Sequence, residues 1–105
     1  MFIINNNVEL VIPKEEKIVY FNENIDYEFL CIYYHPNIDI AYFEKNCKIT
    51  QFIFDKLPKS IKILKLPIID TIDLKKFINL EKVYKYKNTI IRGLSNLEVK
   101  IEILK

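Results

Sequence analysis

The sequence predicts a single small β-rich domain in which an N-terminal β-meander leads into a short stack of strands with little helix. Three observations carry this. At 105 residues the chain has room for one domain, and half of its residues are hydrophobic, enough for a packed core. Isoleucine occurs 20 times and tyrosine and phenylalanine seven times each, and branched or flat side chains suit a pleated, half-buried surface. The apolar residues fall in short pieces, many of them alternating, bounded by Asn, Pro, Asp and charged turns.

Residues 1–36 form the expected N-terminal β region, and residues 37–105 the repeat-like region, of one domain. Val8, Leu10 and Ile12 share one strand face, and Pro13 ends the piece. Lys14 to Lys17 is a solvated turn. Ile18-Val19-Tyr20-Phe21 restarts a strand, and Asn22-Glu23-Asn24 turns again. Tyr27 to Tyr34 is the densest apolar run, stopped by His35-Pro36-Asn37. A meander is the economical connection of such pieces, with Asn-rich corners standing in for glycine, which occurs only at Gly93.

From residue 37 the strand-like pieces recur, at 38–42, 49–54, 61–66, 80–86 and 97–103. Phe77-Ile78-Asn79-Leu80-Glu81 superposes on Leu94-Ser95-Asn96-Leu97-Glu98 without a gap. Self-similarity of this kind marks a stacked array whose units bury their apolar faces against their neighbours. A short helix is expected at 72–79, capped by Asp70 or Thr71, with Leu74, Phe77 and Ile78 on one face.

Ile49-x-x-Phe52-x-Phe54 and Ile61-x-x-Leu64-x-Leu66 resemble the L-x-x-L-x-L core of a leucine-rich repeat. Gly93-Leu94-Ser95-Asn96-Leu97-Glu98 looks like the lead-in to a repeat strand. Leu57-Pro58-Lys59-Ser60-Ile61 with Leu64 and Leu66 is similar to the FNIP-type variant of social amoebae and giant DNA viruses. The resemblance covers roughly residues 48–105. It implies a protein-binding solenoid, and together with the Ile/Lys/Asn-rich composition it implies a viral or similarly A/T-rich source. The strand starts are spaced about 12, 19 and 17 residues apart, shorter than the family's usual unit. Lys85 stands where the third apolar residue of its unit belongs. The usual inward asparagine is missing, with Asn88 the nearest substitute.

Little in the chain suggests chemistry. A single histidine, His35, excludes multi-histidine metal sites, and before Pro36 it reads as a turn residue. Cys31 and Cys47 form no CxxC pair and read as reduced thiols, at least one of them buried. The carboxylates are scattered, and Asp70 and Asp73 suit helix capping better than cation binding. No phosphate-binding or nucleophile-elbow motif is present. The expectation is therefore no enzyme activity, no metal and no cofactor. Met1–Asn7 does not resemble a signal peptide, and no apolar run is long enough to span a membrane. A cytoplasmic protein, or a virion component if viral, is the matching location.

A net charge of +2 provides no strong field for a polyanion. Lys82, Lys85 and Lys87 interleave with Tyr84 and Tyr86 as in single-strand nucleic-acid binders, but Glu81, Glu98 and Glu102 would neutralise them. The function expected is non-enzymatic protein–protein interaction. Two alternatives stand behind it: a structural subunit that self-associates through strand edges, giving a homo-oligomer, and a weak nucleic-acid binder. The expected partner-binding platform is the outward strand face carrying Gln51, Ile53, Lys62, Lys65, Lys82 and Tyr84.

Overall fold

The computed structural model describes residues 1–4, 10–23, 32–33, 37–96 and 98–105. In chain order the elements begin with β1 (Phe2–Ile4), β2 (Leu10–Val11), β3 (Ile18–Phe21), β4 (Ile32–Tyr33) and β5 (Ile40–Phe43). They continue with α1 (Gln51–Phe54), β6 (Ile63–Lys65), β7 (Thr71–Asp73), β8 (Lys82–Tyr86), β9 (Ile90–Arg92) and β10 (Lys100–Leu104). The result is β-rich with one short helix among the described residues, as the composition predicts.

Six strands form one sheet in the order β1-β3-β5-β6-β8-β10, and every pairing in it is parallel. Parallel neighbours need a crossover between them, so each intervening segment runs back along the stack. Two of these return paths pair with each other as β2–β4, and two more as β7–β9, again in parallel. The chain therefore climbs as a solenoid-like stack. Each coil carries one residue of the row Phe2, Val19, Ala41, Leu64, Val83 and Ile101 to the next, and the coils differ in length.

Period-two alternation decides which side of the sheet is dry. One inward row runs Val19, Ala41, Leu64 and Val83, all buried, and ends at Ile101. The next inward row holds Ile4, Phe21 and Phe43, all fully buried. Phe21 and Phe43 stack with ring centroids 4.2 Å apart and an interplanar angle of 14°. Phe54 of α1 closes on Phe43 from the return path at 5.0 Å. Ile38, Ile61 and Leu80 are buried where each coil enters its strand of the first inward row. Cys47 is buried, and its thiol donates to the Phe21 carbonyl at 3.2 Å.

Four expectations are corrected. The N-terminal strands are not an antiparallel meander: β1 and β3 run parallel and belong to the same sheet as the later strands. Residues 49–54 do not form a sheet strand, because Gln51–Phe54 is a helical turn. Its buried residues are Ile53, Phe54 and, one turn on, Leu57, a helical spacing that defeats the strand-like match of Ile49, Phe52 and Phe54. The helix expected at 72–79 is replaced by β7 followed by turns. Ile72 and Leu74 are buried on alternate positions, and the Asp73 carboxylate accepts the Lys75 N–H at 2.8 Å, a local turn that competes with helix. Asn88 is exposed, and Thr89 beside it is buried instead, its hydroxyl donating to the Ile69 carbonyl at 2.6 Å. The expectations for Cys31, His35 and Pro36, for Leu97, and for most of residues 24–36 lie outside the described residues.

Candidate binding face

The outward side of the six-stranded sheet is built by the residues between the inward rows. Register aligns Ile18, Ile40, Ile63, Lys82 and Lys100 in one outward row. It aligns Ile3, Tyr20, Tyr42, Lys65, Tyr84 and Glu102 in the next. From Ile18 to Tyr84 these side chains are half-buried, because neighbours in the same row lie about 5 Å apart and shield each other. The N-terminal part of the face is thus isoleucine and tyrosine, and the C-terminal part mixes lysine, tyrosine and glutamate.

Polar contacts orient the aromatic rings. The Tyr20 hydroxyl donates to the Glu44 carboxylate at 3.2 Å, and the same carboxylate accepts the Glu23 N–H at 3.0 Å. Burial, and after it the bond to Glu44, raise the Tyr20 hydroxyl above its ordinary pKa. The Lys82 ammonium lies 4.5 Å from the Tyr84 ring centroid and 3.0 Å from a Glu102 carboxylate oxygen. Its contact with Tyr84, and after it the one with Glu102, raise the Lys82 pKa. At the top of the sheet Lys45 sits over the Tyr86 ring at 5.4 Å.

Of the six residues expected on this platform, the structure brings three together. Lys65 and Tyr84 are direct cross-strand neighbours, and Lys82 precedes Tyr84 on the same face. Lys62 is exposed at the entry to β6, and its backbone N–H donates to Asp39 at 2.6 Å. Gln51 and Ile53 are elsewhere, on α1 of the return path. The Gln51 side chain bonds both the N–H and the carbonyl of Asp73, at 2.8 Å each. Ile53 is buried at 7% exposure, so it cannot supply apolar contact area. The sequence reading missed Ile18, Tyr20, Ile40, Tyr42 and Ile63. A signal for them was present: Ile18-Val19-Tyr20-Phe21 and Ile40-Ala41-Tyr42-Phe43 are near-identical tetrads one coil apart.

A hollow of about 530 Å³ opens at the C-terminal end, lined by residues that include Ile68, Tyr86, Thr89 and Ile103. Among the described residues no group of three or more His, Cys, Asp and Glu side chains could hold a metal ion. Nor is any helix among them long and apolar enough to cross a membrane. No protein-family model, curated protein or solved structure matches the chain.

Proposed function

We propose that this chain is a non-enzymatic protein-binding module, a solenoid of leucine-rich-repeat type that docks a protein partner on its outward sheet face. The observation that carries the reading is the content of that face. Three isoleucines and three tyrosines (Ile18, Ile40, Ile63, Tyr20, Tyr42 and Tyr84) line two continuous outward rows. A sheet face kept only for solubility is lined by charged and small polar side chains, whereas tyrosine beside aliphatic area supplies anchors at low entropic cost. Lys62 and Lys65 beside this area favour a partner whose apolar anchors are flanked by acidic residues. A location in the cytoplasm of the source cell suits such a module.

The test compares two folded variants in affinity capture from the source cells. One combines Tyr42→Ser, Lys65→Ser and Tyr84→Ser on the face. The other combines Phe52→Ser and Lys56→Ser on the exposed side of the return path. A partner captured by the wild type and by the return-path variant, and lost by the face variant, agrees with the reading. A partner retained by the face variant overturns it.

A further inference from the structure

The sheet order leaves β10 at one edge, paired on its β8 side. The Lys100 N–H donates to Glu81 at 3.0 Å, so in this parallel ladder Lys100, Glu102 and Leu104 direct their backbone groups toward β8. The alternate residues, Ile101 and Ile103, then direct N–H and C=O outward along the edge. Their side chains occupy the inward rows, yet Ile101 is 45% exposed and Ile103 52%. An edge that combines apolar side chains with outward backbone groups is a template for another strand. The opposite end of the stack differs, since Ile4 of β1 is fully buried.

We propose that β10 pairs antiparallel with β10 of a second copy, in the register that sets Ile101 opposite Ile101. Both residues face the edge, so they exchange two backbone hydrogen bonds. Beyond them the second copy's Ile103 N–H donates to the Val99 carbonyl, while the Val99 N–H stays with the Asn96 carbonyl at 3.4 Å. The inward side chains of both copies fall on one side and cover each other. Lys100 lies opposite the second copy's Glu102 at the closely spaced, non-hydrogen-bonded positions, where side chains meet most directly. The same contact occurs twice by symmetry. The charge pattern selects this register. Moving it one step one way sets Glu102 against Glu102. Moving it one step the other way sets Lys100 against Lys100 and Glu98 against Glu102. Within one copy Lys100 also lies beside Lys82, a like-charge pair on the ladder that the second copy's carboxylate relieves. One strand edge buries less than a permanent dimer needs, so the association is reversible and concentration-dependent.

Sedimentation velocity across a concentration series tests the proposal, with thermal melts confirming that each variant is folded. The wild type is expected to shift from monomer to dimer and to grow no further. Lys100→Glu and Glu102→Lys, both at exposed positions, are each expected to weaken the dimer about tenfold or more by setting like charges opposite. Mixing the two weakened variants is expected to restore a dimer. In that mixture both positions of one chain carry carboxylates and both of the other carry ammonium groups, so opposite charges meet at each contact. The double variant within one chain also restores it. Amide exchange gives a second readout that needs no variant: Ile101 and Ile103 gain protection with concentration, and Glu102 does not. A wild type that stays monomeric, growth beyond the dimer, unaffected single variants, failed rescue on mixing, or unchanged Ile101 and Ile103 exchange each overturns the proposal. The outward-face variant changes Tyr84, the cross-strand neighbour of Glu102, but leaves Lys100, Ile101, Glu102 and Ile103 in place. Partner capture and dimer formation are therefore scored on different variants, and either can fail without the other.

Discussion

Phe43→Ala is expected to cost about 4 kcal/mol of folding stability, from the upper half of the range for deleting a buried phenylalanine. The structure gives the reason for the upper half. Phe43 is fully buried, stacked on Phe21 at 4.2 Å on one side and tilted against Phe54 at 5.0 Å on the other. Removing the ring leaves a cavity bounded by two rigid rings and a sheet, which collapses poorly. A chain of 105 residues has a total stability of about 5–16 kcal/mol, so the variant loses a large fraction of it. Urea unfolding followed by circular dichroism reads the loss as a lower midpoint at unchanged slope. The Phe21→Ala, Phe43→Ala double variant is expected to be non-additive by about 0.5–1.5 kcal/mol, since the pair interacts beyond its buried area. Phe52→Ala, at an exposed position, is the control and stays within about 0.5 kcal/mol of the wild type. A Phe43→Ala loss below about 1.5 kcal/mol, or strict additivity with Phe21→Ala, would refute the stacked-ring account of the core.

Gly93→Ala is expected to destabilise by about 1–3 kcal/mol in the same assay. Gly93 has φ +79°, and a Cβ there would clash with an Asp73 carboxylate oxygen that is already held by the Lys75 N–H. Thr89→Val keeps the shape but removes the hydroxyl bonded to Ile69, and about 1–2 kcal/mol should be lost. Thr89→Ser, which keeps the donor, should lose less of it. Tyr20 should ionise above 10.0 in a spectrophotometric titration, and Glu44→Gln should lower its pKa toward that value. The unfolded chain loses the Tyr20 proton first, so this contribution to stability is intact below pH 10 and disappears as pH rises through the folded pKa.

The sheet itself was largely legible. Ile18–Phe21 is a strand at both of its read boundaries, and the pieces at 38–42, 61–66 and 80–86 contain most or all of β5, β6 and β8. Less legible was the return path. A piece as short as Ile49 to Phe54 satisfies a strand template and one turn of helix equally well, and only the packing of Ile53, Phe54 and Leu57 decides between them. That one assignment had two consequences. It cut one repeat in two, because Ile49 falls partway along the single coil that runs from Ala41 to Leu64, and it put Gln51 and Ile53 on a face they do not share. Unequal coil lengths also hid the N-terminal tetrads, because a fixed-period search rewards constant spacing. Strand alternation alone sufficed for Lys65, Lys82 and Tyr84, whose outward direction follows from Leu64, Leu66 and Val83 being buried.

The inward rows explain why the two ends of the stack differ. In the second row Ile4, Phe21, Phe43 and Leu66 are fully buried, and the next position is Lys85. Lys85 is half-buried, and its ammonium turns away to the Thr89 carbonyl at 2.7 Å. An amphipathic side chain of this kind lays its methylenes on the core and takes its charge to a polar group at the rim. Beyond it the row ends at Ile103, which is exposed, whereas Phe43 is covered by Phe54. In a stack whose stability is a sum over nearest neighbours, the last strand contributes one interface where inner strands contribute two. β10 is therefore held by its ladder to β8 and by the Lys82–Glu102 ion pair more than by burial. Exposed ion pairs of this kind stabilise weakly, which makes β10 the strand with most to gain from a second neighbour.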